Sequence, residues 1–338
     1  MASITKKKDI YERKELLDKV AKLLFLLLAI LCASFVIFIA CFIAWKGIYP
    51  FFHNYSLEPE TVLRQDFGMF FSNPRWLYDG TGGMLFLLFT TLFTTLLSLV
   101  ISVPTSVFTA LFITRIAPKW LKSILQSAID LLASIPSVIY GLFGVGVICP
   151  AVASLRPDTF GGRSILSGTI VLALMSIPTM TTLSMNAMEA VDKRLIHSSI
   201  ALGASSAQTN FKIVIGSSAS GIFAGMILGI GRALGEATAI QMVIGNNSLG
   251  TSFYNVFTPG NTLTSAMLSG IGEAAGIGYD VRFSLGLVLI VVILLTSMIL
   301  TAIKRKLNPY AAQKESWLHA LIQKLQKKKE GVSLNWTP

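Results

Sequence analysis

The chain has 338 residues, of which 53% are hydrophobic and only 13% are charged, with a formal net charge of +11. A soluble domain carries about 25% charged residues, so an ordinary globular fold is excluded and a membrane-embedded one indicated. The positive charge is spread over separate segments with no nucleic-acid motif beside it, which excludes nucleic acid as the partner it serves.

Residues 1–22 form a basic arm with Lys6, Lys7, Lys8, Arg13, Lys14, Lys19 and Lys22. Its pattern predicts an amphipathic helix along a membrane surface. The apolar run Leu23–Trp45 follows. A helix needs about 20 apolar residues to cross ~30 Å of hydrocarbon, and this run has them. Trp45-Lys46-Gly47 is no small-residue cleavage site, so the run reads as a retained helix. The loop 47–83 is rich in turn residues and contains Trp76, consistent with a small folded cap.

Further runs of crossing length are Met84–Thr114, Ile124–Ala153, Ser164–Asn186 and Ser284–Ile303. Pro136 interrupts the second of these and Pro178 the third; each removes a helix hydrogen bond and predicts a kink. Kinks survive in a bilayer where protein or a cavity covers the freed backbone, which favours a transporter or channel over a simple anchor. Asp130 lies early in the kinked run, either as part of a solute pathway or as a complement to a helix dipole.

Ile213–Gly245 is apolar but glycine-rich, and is read as a sixth span. As one helix it would be about 50 Å long, so a break near Gly229–Gly235 is expected. Gly221, Gly225 and Gly229 lay a small-residue stripe on one face, suited to close helix packing. Arg232 and Glu236 are one turn apart. A charge at the bilayer centre costs about 2.5–3.5 kcal/mol on insertion scales, so the pair asks for a reason. Arg232 offers a planar fork of donors for an oxyanion, and Glu236 is expected to orient and partly neutralise it. The alternative is an internal ion pair.

The segment between Lys193 and Val214 predicts a short helix, a turn at Gly203 and a second short helix. By composition alone it could equally be an ordinary loop. Six spans place every Lys/Arg-rich segment on one side, so both termini are expected in the cytoplasm. The tail 307–338 is basic, with an apolar face of Trp317, Leu318, Leu321, Ile322 and Leu325 suited to an interfacial anchor. Cys32, Cys41 and Cys149 lie in apolar runs without metal-ligand spacing and read as structural thiols. No phosphate-binding Gly-x-x-x-x-Gly-Lys-Ser/Thr loop is present.

Several motifs are collinear with a known family. His197-Ser198-Ser199, Gly203-Ala204 and Ile213–Gly216 resemble the Glu-Ala-Ala loop of ABC-importer membrane subunits, with His197 in place of Glu and Gly216 in place of Pro. Ala133-Ser134-Ile135-Pro136-Ser137-Val138-Ile139-Tyr140-Gly141 resembles the Ile-Pro-Ser-Val-Val-Tyr-Gly signature of phosphate-importer permeases. Gly231-Arg232-Ala233-Leu234-Gly235-Glu236-Ala237 resembles their Gly-Arg-Ala-Leu-Gly-Glu-Thr motif. Ile244-Gly245-Asn246, Pro259-Gly260-Asn261 and Thr264-Ser265-Ala266 are similar to the PstC-type subunits and not to their PstA-type partners.

The resemblance, over roughly residues 80–305, implies an all-α integral membrane protein with the type I ABC-importer permease fold in residues 23–306. It implies an importer of inorganic phosphate, with Arg232 and Glu236 in the substrate pathway and Asp130, Pro136, Ser137 and Tyr140 along it or in its gating. His197, Ser198, Ser199, Gly203, Ala204 and Gly216, in a coupling loop at about 190–212, would meet the ATPase. The implied partners are a PstA-like permease, two PstB-like ATP-binding subunits, a PstS-like external binding protein and the lipid bilayer. The chain itself would bind no cofactor and catalyse nothing; ATP and Mg would be used by the partner ATPase. A permease for molybdate or sulfate is the alternative. An ion-coupled secondary transporter fits less well, because no inverted second half is visible.

Overall fold

The computed structural model describes residues 2–58, 61–76, 82–157, 159–247 and 254–307. Six helical segments in it are long and apolar enough to cross a membrane: Leu17–Phe52, Leu85–Ile116, Ser137–Leu155, Ile165–Glu189, Ser206–Gly235 and Gly276–Lys306. The basic tail from residue 308 onward, with its expected anchor, lies outside the described residues.

Helix α1 (Ala2–Phe52) carries the basic arm and the first span as one continuous element. The arm therefore extends the span instead of forming a separate surface helix. Side chains from Leu23 to Ile39 face outward, as a lipid-facing helix requires. Its far end docks on α13 (Gly276–Leu307). There the Ser284 hydroxyl donates to the Gly47 carbonyl at 2.6 Å. A Cβ on Gly47 would lie 2.7 Å from the Phe283 carbonyl oxygen, so only glycine allows that approach.

The loop after α1 is the expected folded cap. An antiparallel hairpin, β1 (Tyr55–Glu58) and β2 (Thr61–Leu63), precedes α2 (Phe67–Ser72). Asp66 caps α2 by accepting from the Met69 amide at 2.7 Å. Trp76 and Phe70 are buried with Phe51, Leu87, Val281 and Leu285, tying the cap to the bundle. Asp280 on α13 accepts from Lys46 Nζ at 3.0 Å and from the Tyr55 hydroxyl at 2.7 Å. Burial, and then the bond to Asp280, push the Tyr55 phenol well above its ordinary range.

Helix α3 (Leu85–Leu111) continues through a π turn at Phe112–Ile116. Its buried face is a file of hydroxyls: Thr91, Thr94, Thr95, Ser98, Ser102 and Ser106. Several of them bond back into their own helix, as Thr91 does to the Leu87 carbonyl and Thr94 to the Thr90 carbonyl, both at 2.6 Å. Small side chains satisfied this way let α3 lie close against α7 (Ile165–Glu189). α7 is the most buried span, and Pro178 sits inside it without ending it.

The expected span Ile124–Ala153 is corrected by the structure. Helix α4 (Lys119–Ser134) stops before the proline; Ile135 and Pro136 are extended, and the crossing begins afresh at α5 (Ser137–Phe143). It runs through a π turn at Gly144–Ile148 into α6 (Cys149–Leu155). The physical reason is that proline pushes its predecessor out of the helical region. At 16 residues α4 is about 24 Å long, too short to cross.

Helices α8 (Lys193–Ala201) and α9 (Ser206–Gln208) flank the turn at Gly203. From α9 the chain passes through a π turn at Thr209–Val214 into α10 (Ile215–Gly235), then α11 (Thr238–Val243). The glycine stripe packs on α7. Cβ atoms on Gly221, Gly225 and Gly229 would come within 2.4 Å of Ala187, 3.0 Å of Leu183 and 2.1 Å of Met180. The loop after α11 folds back on the bundle in part. Helix α12 (Leu263–Leu268) starts at a Thr262–Ser265 capping box, and the Leu263 amide donates to Thr91 Oγ1 at 2.9 Å.

Candidate functional site

Helix α10 ends at Gly235, and Glu236 is extended (φ −75°, ψ 120°), so the expected break falls at the last residue of its window. The break decides where two charges go. Arg232, in the last turn, keeps its helical direction and donates from Nη1 to Thr179 Oγ1 at 2.9 Å. Thr179 follows Pro178 in α7. Glu236 is past the end, and its Oε1 accepts from the Ala239 amide at 3.0 Å, closing the first turn of α11. The expected pairing of Glu236 with Arg232 is thus corrected: spacing by four puts residues on one face only while the helix continues.

Arg232 lines a cavity of about 640 Å³ with Thr179, Ala224, Ile227, Leu228, Gly231, Ser297, Thr301 and Lys304. Two cationic side chains and three hydroxyls therefore share one space, and among the described residues no acidic side chain lines it. Arg232 and Lys304 are both half-buried. Guanidinium, ammonium and hydroxyl groups are all donors, so this lining suits an oxyanion. Sequence reading missed Thr179, Ser297, Thr301 and Lys304. The last three do carry a signal, since they are spaced four and three apart on one helical face.

The other expected pathway residues divide. Tyr140 is buried on α5, and its hydroxyl donates to the Leu132 carbonyl at 2.8 Å. Tyr140 also lines an apolar cavity of about 340 Å³ with Leu132, Ile135, Ile177 and Pro178, next to Thr179. Pro136 is exposed and Ser137 half-buried at the α4–α5 break. Asp130 is exposed on the C-terminal half of α4, away from any helix start and outside the crossing segment. That corrects the expected role as complement to a helix dipole.

The 190–216 segment forms the expected helix–turn–helix. Asp192 caps α8 by accepting from the Arg194 amide at 2.9 Å, and hydrogen bonds from Arg194 hold its carboxyl below the usual range. Gly203 has φ +86°, a conformation glycine adopts without strain. Ser205 and Gln208 form a capping box on the far side of the turn. His197, Ser198, Gly203 and Gly216 are exposed and Ala204 half-buried, while Ser199 Oγ lies 3.0 Å from Thr209 Oγ1. Leu202, at the tip, is 89% exposed. Behind it, Lys122 Nζ pairs with Glu189 at 2.6 Å, and Arg115 donates to the Met188 carbonyl, joining the ends of α3, α4 and α7.

Six membrane-length helices, α7 packed between α3 and α10 and α13 against α1 and α10, define a multi-pass helical membrane protein. The chain belongs to the family described as the binding-protein-dependent transport system inner membrane component, whose model matches residues 102–311. It is 39% identical over 181 residues to the probable ABC transporter permease protein YqgH of Bacillus subtilis (strain 168), covering 53% of this chain and 58% of that one. It is 34% identical over 199 residues to the phosphate transport system permease protein PstC of Xylella fastidiosa (strain Temecula1), covering 53% and 60%. The matched stretch thus spans about three fifths of those relatives' length. A bacterial ABC transporter involved in the import of the acidic polysaccharide alginate aligns with 83% of this chain and 96% of its own, at TM-score 0.56 and 16% identity. That likeness shows the permease fold.

Proposed function

We propose that this chain is one permease subunit of an ATP-driven importer of inorganic phosphate, and that Arg232 meets the anion within the membrane. The observation that carries the reading is the Arg232 guanidinium, held by Thr179 in a cavity whose lining, among the described residues, includes a second cation and no carboxylate. Relatives named as phosphate transport permeases support the choice of anion.

In this reading both termini lie in the cytoplasm, and residues 23–306 form the permease domain between a basic arm and a basic tail. A PstA-like permease completes the pathway, and a PstS-like protein delivers phosphate on the outer side. Two PstB-like subunits hydrolyse ATP with Mg and dock on the 190–212 loop through His197, Ser198, Ser199, Gly203 and Ala204, with Gly216 at the foot of α10. The chain binds no cofactor of its own. An energy source is needed, because moving an anion into a negative-inside cell costs about 2.3 kcal/mol per charge per 100 mV. Glu236 acts here as the cap that sets the α10–α11 break, and Tyr140 lines the path beside Thr179.

The test is uptake by the reconstituted complex of this chain with its second permease, ATPase and binding protein. ATP-dependent accumulation of radiolabelled phosphate, not displaced by excess sulfate or molybdate, is expected. Preferential uptake of sulfate or molybdate would overturn the assignment of substrate.

A further inference from the structure

The cavity that holds Arg232 extends along two helices, and its second cation is the least explained feature of the bundle. Its wall on α10 is Ala224, Ile227, Leu228, Gly231 and Arg232; its wall on α13 is Ser297, Thr301 and Lys304. Successive spans run antiparallel, so Ser297 lies toward the Arg232 end and Lys304 toward the Ala224 end. Seven residues separate Ser297 from Lys304, and Gly231 from Ala224, about 10 Å along each helix. The two cations therefore sit at opposite ends of one space, joined by hydroxyls.

We propose that Lys304 is a second anion station, which receives phosphate from Arg232 and passes it to the inner opening. The inference rests on the phosphate reading above. Transit requires binding strong enough to draw the ion in and weak enough to let it leave, and sites in series meet both demands. Arg232 presents a rigid fork pinned by Thr179 and is the tighter station. Lys304 is a point charge on a flexible stem, with no planar fork to match, and is the weaker exit station. Thr301 and Ser297 supply hydrogen bonds between them, and Gly231 and Ala224 leave the wall free of bulk. Arg305 and Lys306, the next two cations, are exposed and line no part of the cavity.

The shared chemistry is a phosphate group, which a lipid headgroup could also supply. The experiment uses the whole reconstituted complex and measures phosphate uptake for wild type, Lys304→Gln, Lys304→Arg and Lys306→Gln, normalised to assembled transporter. Lys304→Gln should lower the maximal rate at least fivefold while the KM for external phosphate changes less than twofold. Lys304→Arg should recover at least half of the rate, and Lys306→Gln should match wild type. The rates should fall alike in vesicles of pure phosphatidylcholine and in vesicles containing phosphatidylglycerol. A Lys304→Gln defect that vanishes in phosphatidylcholine would assign the lysine to lipid, and a normal rate in both would also overturn the station. Should wild type itself fail to import phosphate, the substrate assignment fails first.

Discussion

Arg232 and Thr179 bind each other across the α10–α7 contact, Nη1 to Oγ1 at 2.9 Å, one residue beyond the proline inside α7. The guanidinium direction is therefore set by the neighbouring span and not by Glu236, which serves the start of α11. The two members of the motif do different work, and substitutions at each should separate.

Arg232→Gln should abolish phosphate uptake, at least a hundredfold, with the complex still assembled. Arg232→Lys should retain under a tenth of the rate, since an ammonium cannot reproduce the fork. Thr179→Val should lower the rate by roughly ten- to a hundredfold, in line with loss of one hydrogen bond to a charged group, about 1.5–3 kcal/mol. Glu236→Gln keeps an acceptor for the Ala239 amide and should be mild, whereas Glu236→Ala should cost about 1 kcal/mol of stability. Radiolabelled uptake per assembled complex reads the first four and thermal unfolding in detergent reads Glu236→Ala; normal uptake by Arg232→Gln would remove the arginine from the pathway.

Two glycines should fail in different ways. At Gly203, φ +86° and open space around the absent Cβ make the cost one of backbone conformation alone. Gly203→Val should leave insertion intact but break the coupling of ATP hydrolysis to uptake. At Gly229 the added atom would meet Met180. Gly229→Val should pry α10 from α7 and destabilise the protein by about 1–3 kcal/mol. Thermal unfolding in detergent distinguishes the cases: a loss of Tm at 229 and little change at 203 is the expected result.

The Tyr55 phenol supplies a pH dependence. Its pKa is raised in the folded protein, first by burial and then by donation to Asp280. The folded state thus holds the proton that the unfolded chain begins to lose near pH 10. The stabilisation is fully present below that value and declines as pH rises through it. Tyr55→Phe should flatten the fall of Tm between about pH 9.5 and 11. An unchanged slope would mean that the bond to Asp280 does not govern this range.

Orientation can be read by cysteine labelling in a background lacking Cys32, Cys41 and Cys149. Asn54→Cys and Phe160→Cys, both at exposed positions, should react with an impermeant maleimide in intact cells. Arg194→Cys, at the 90% exposed side chain beside Asp192, should react only after lysis. The reverse pattern would invert the topology. Thr262 is unsuitable as a reporter because α12 buries it.

The spans were legible because a bilayer imposes length and apolarity on any crossing helix, and the glycine stripe because its spacing matches a helix face. At Pro136 a kink was legible but the full division was not, since apolar residues continue on both sides and the extended Ile135 is what ends α4. The i, i+4 spacing of Arg232 and Glu236 misled for a related reason: it presumes a helix that the chain abandons between them. Thr179 was hidden by its ordinary residue type, and the one-faced spacing of Ser297, Thr301 and Lys304 gains meaning when α7, α10 and α13 stand side by side. The burial of Asn261 and Thr262 after α11 was not legible either, because hydrogen bonding satisfies these polar residues inside the fold.

Ser206–Gly235 is a single helical rod of 30 residues that begins four positions after the exposed Leu202 tip. It carries Arg232 about 39 Å from its start. Such a rod is a lever: a tilt of ~5° about one end sweeps the other by ~3 Å, comparable to a hydrogen-bond length. Force applied at the tip needs no relay of side chains to reach the guanidinium. The π turn at Thr209–Val214 departs from regular helix near the foot of that lever, where a change of stiffness alters how much of a push arrives.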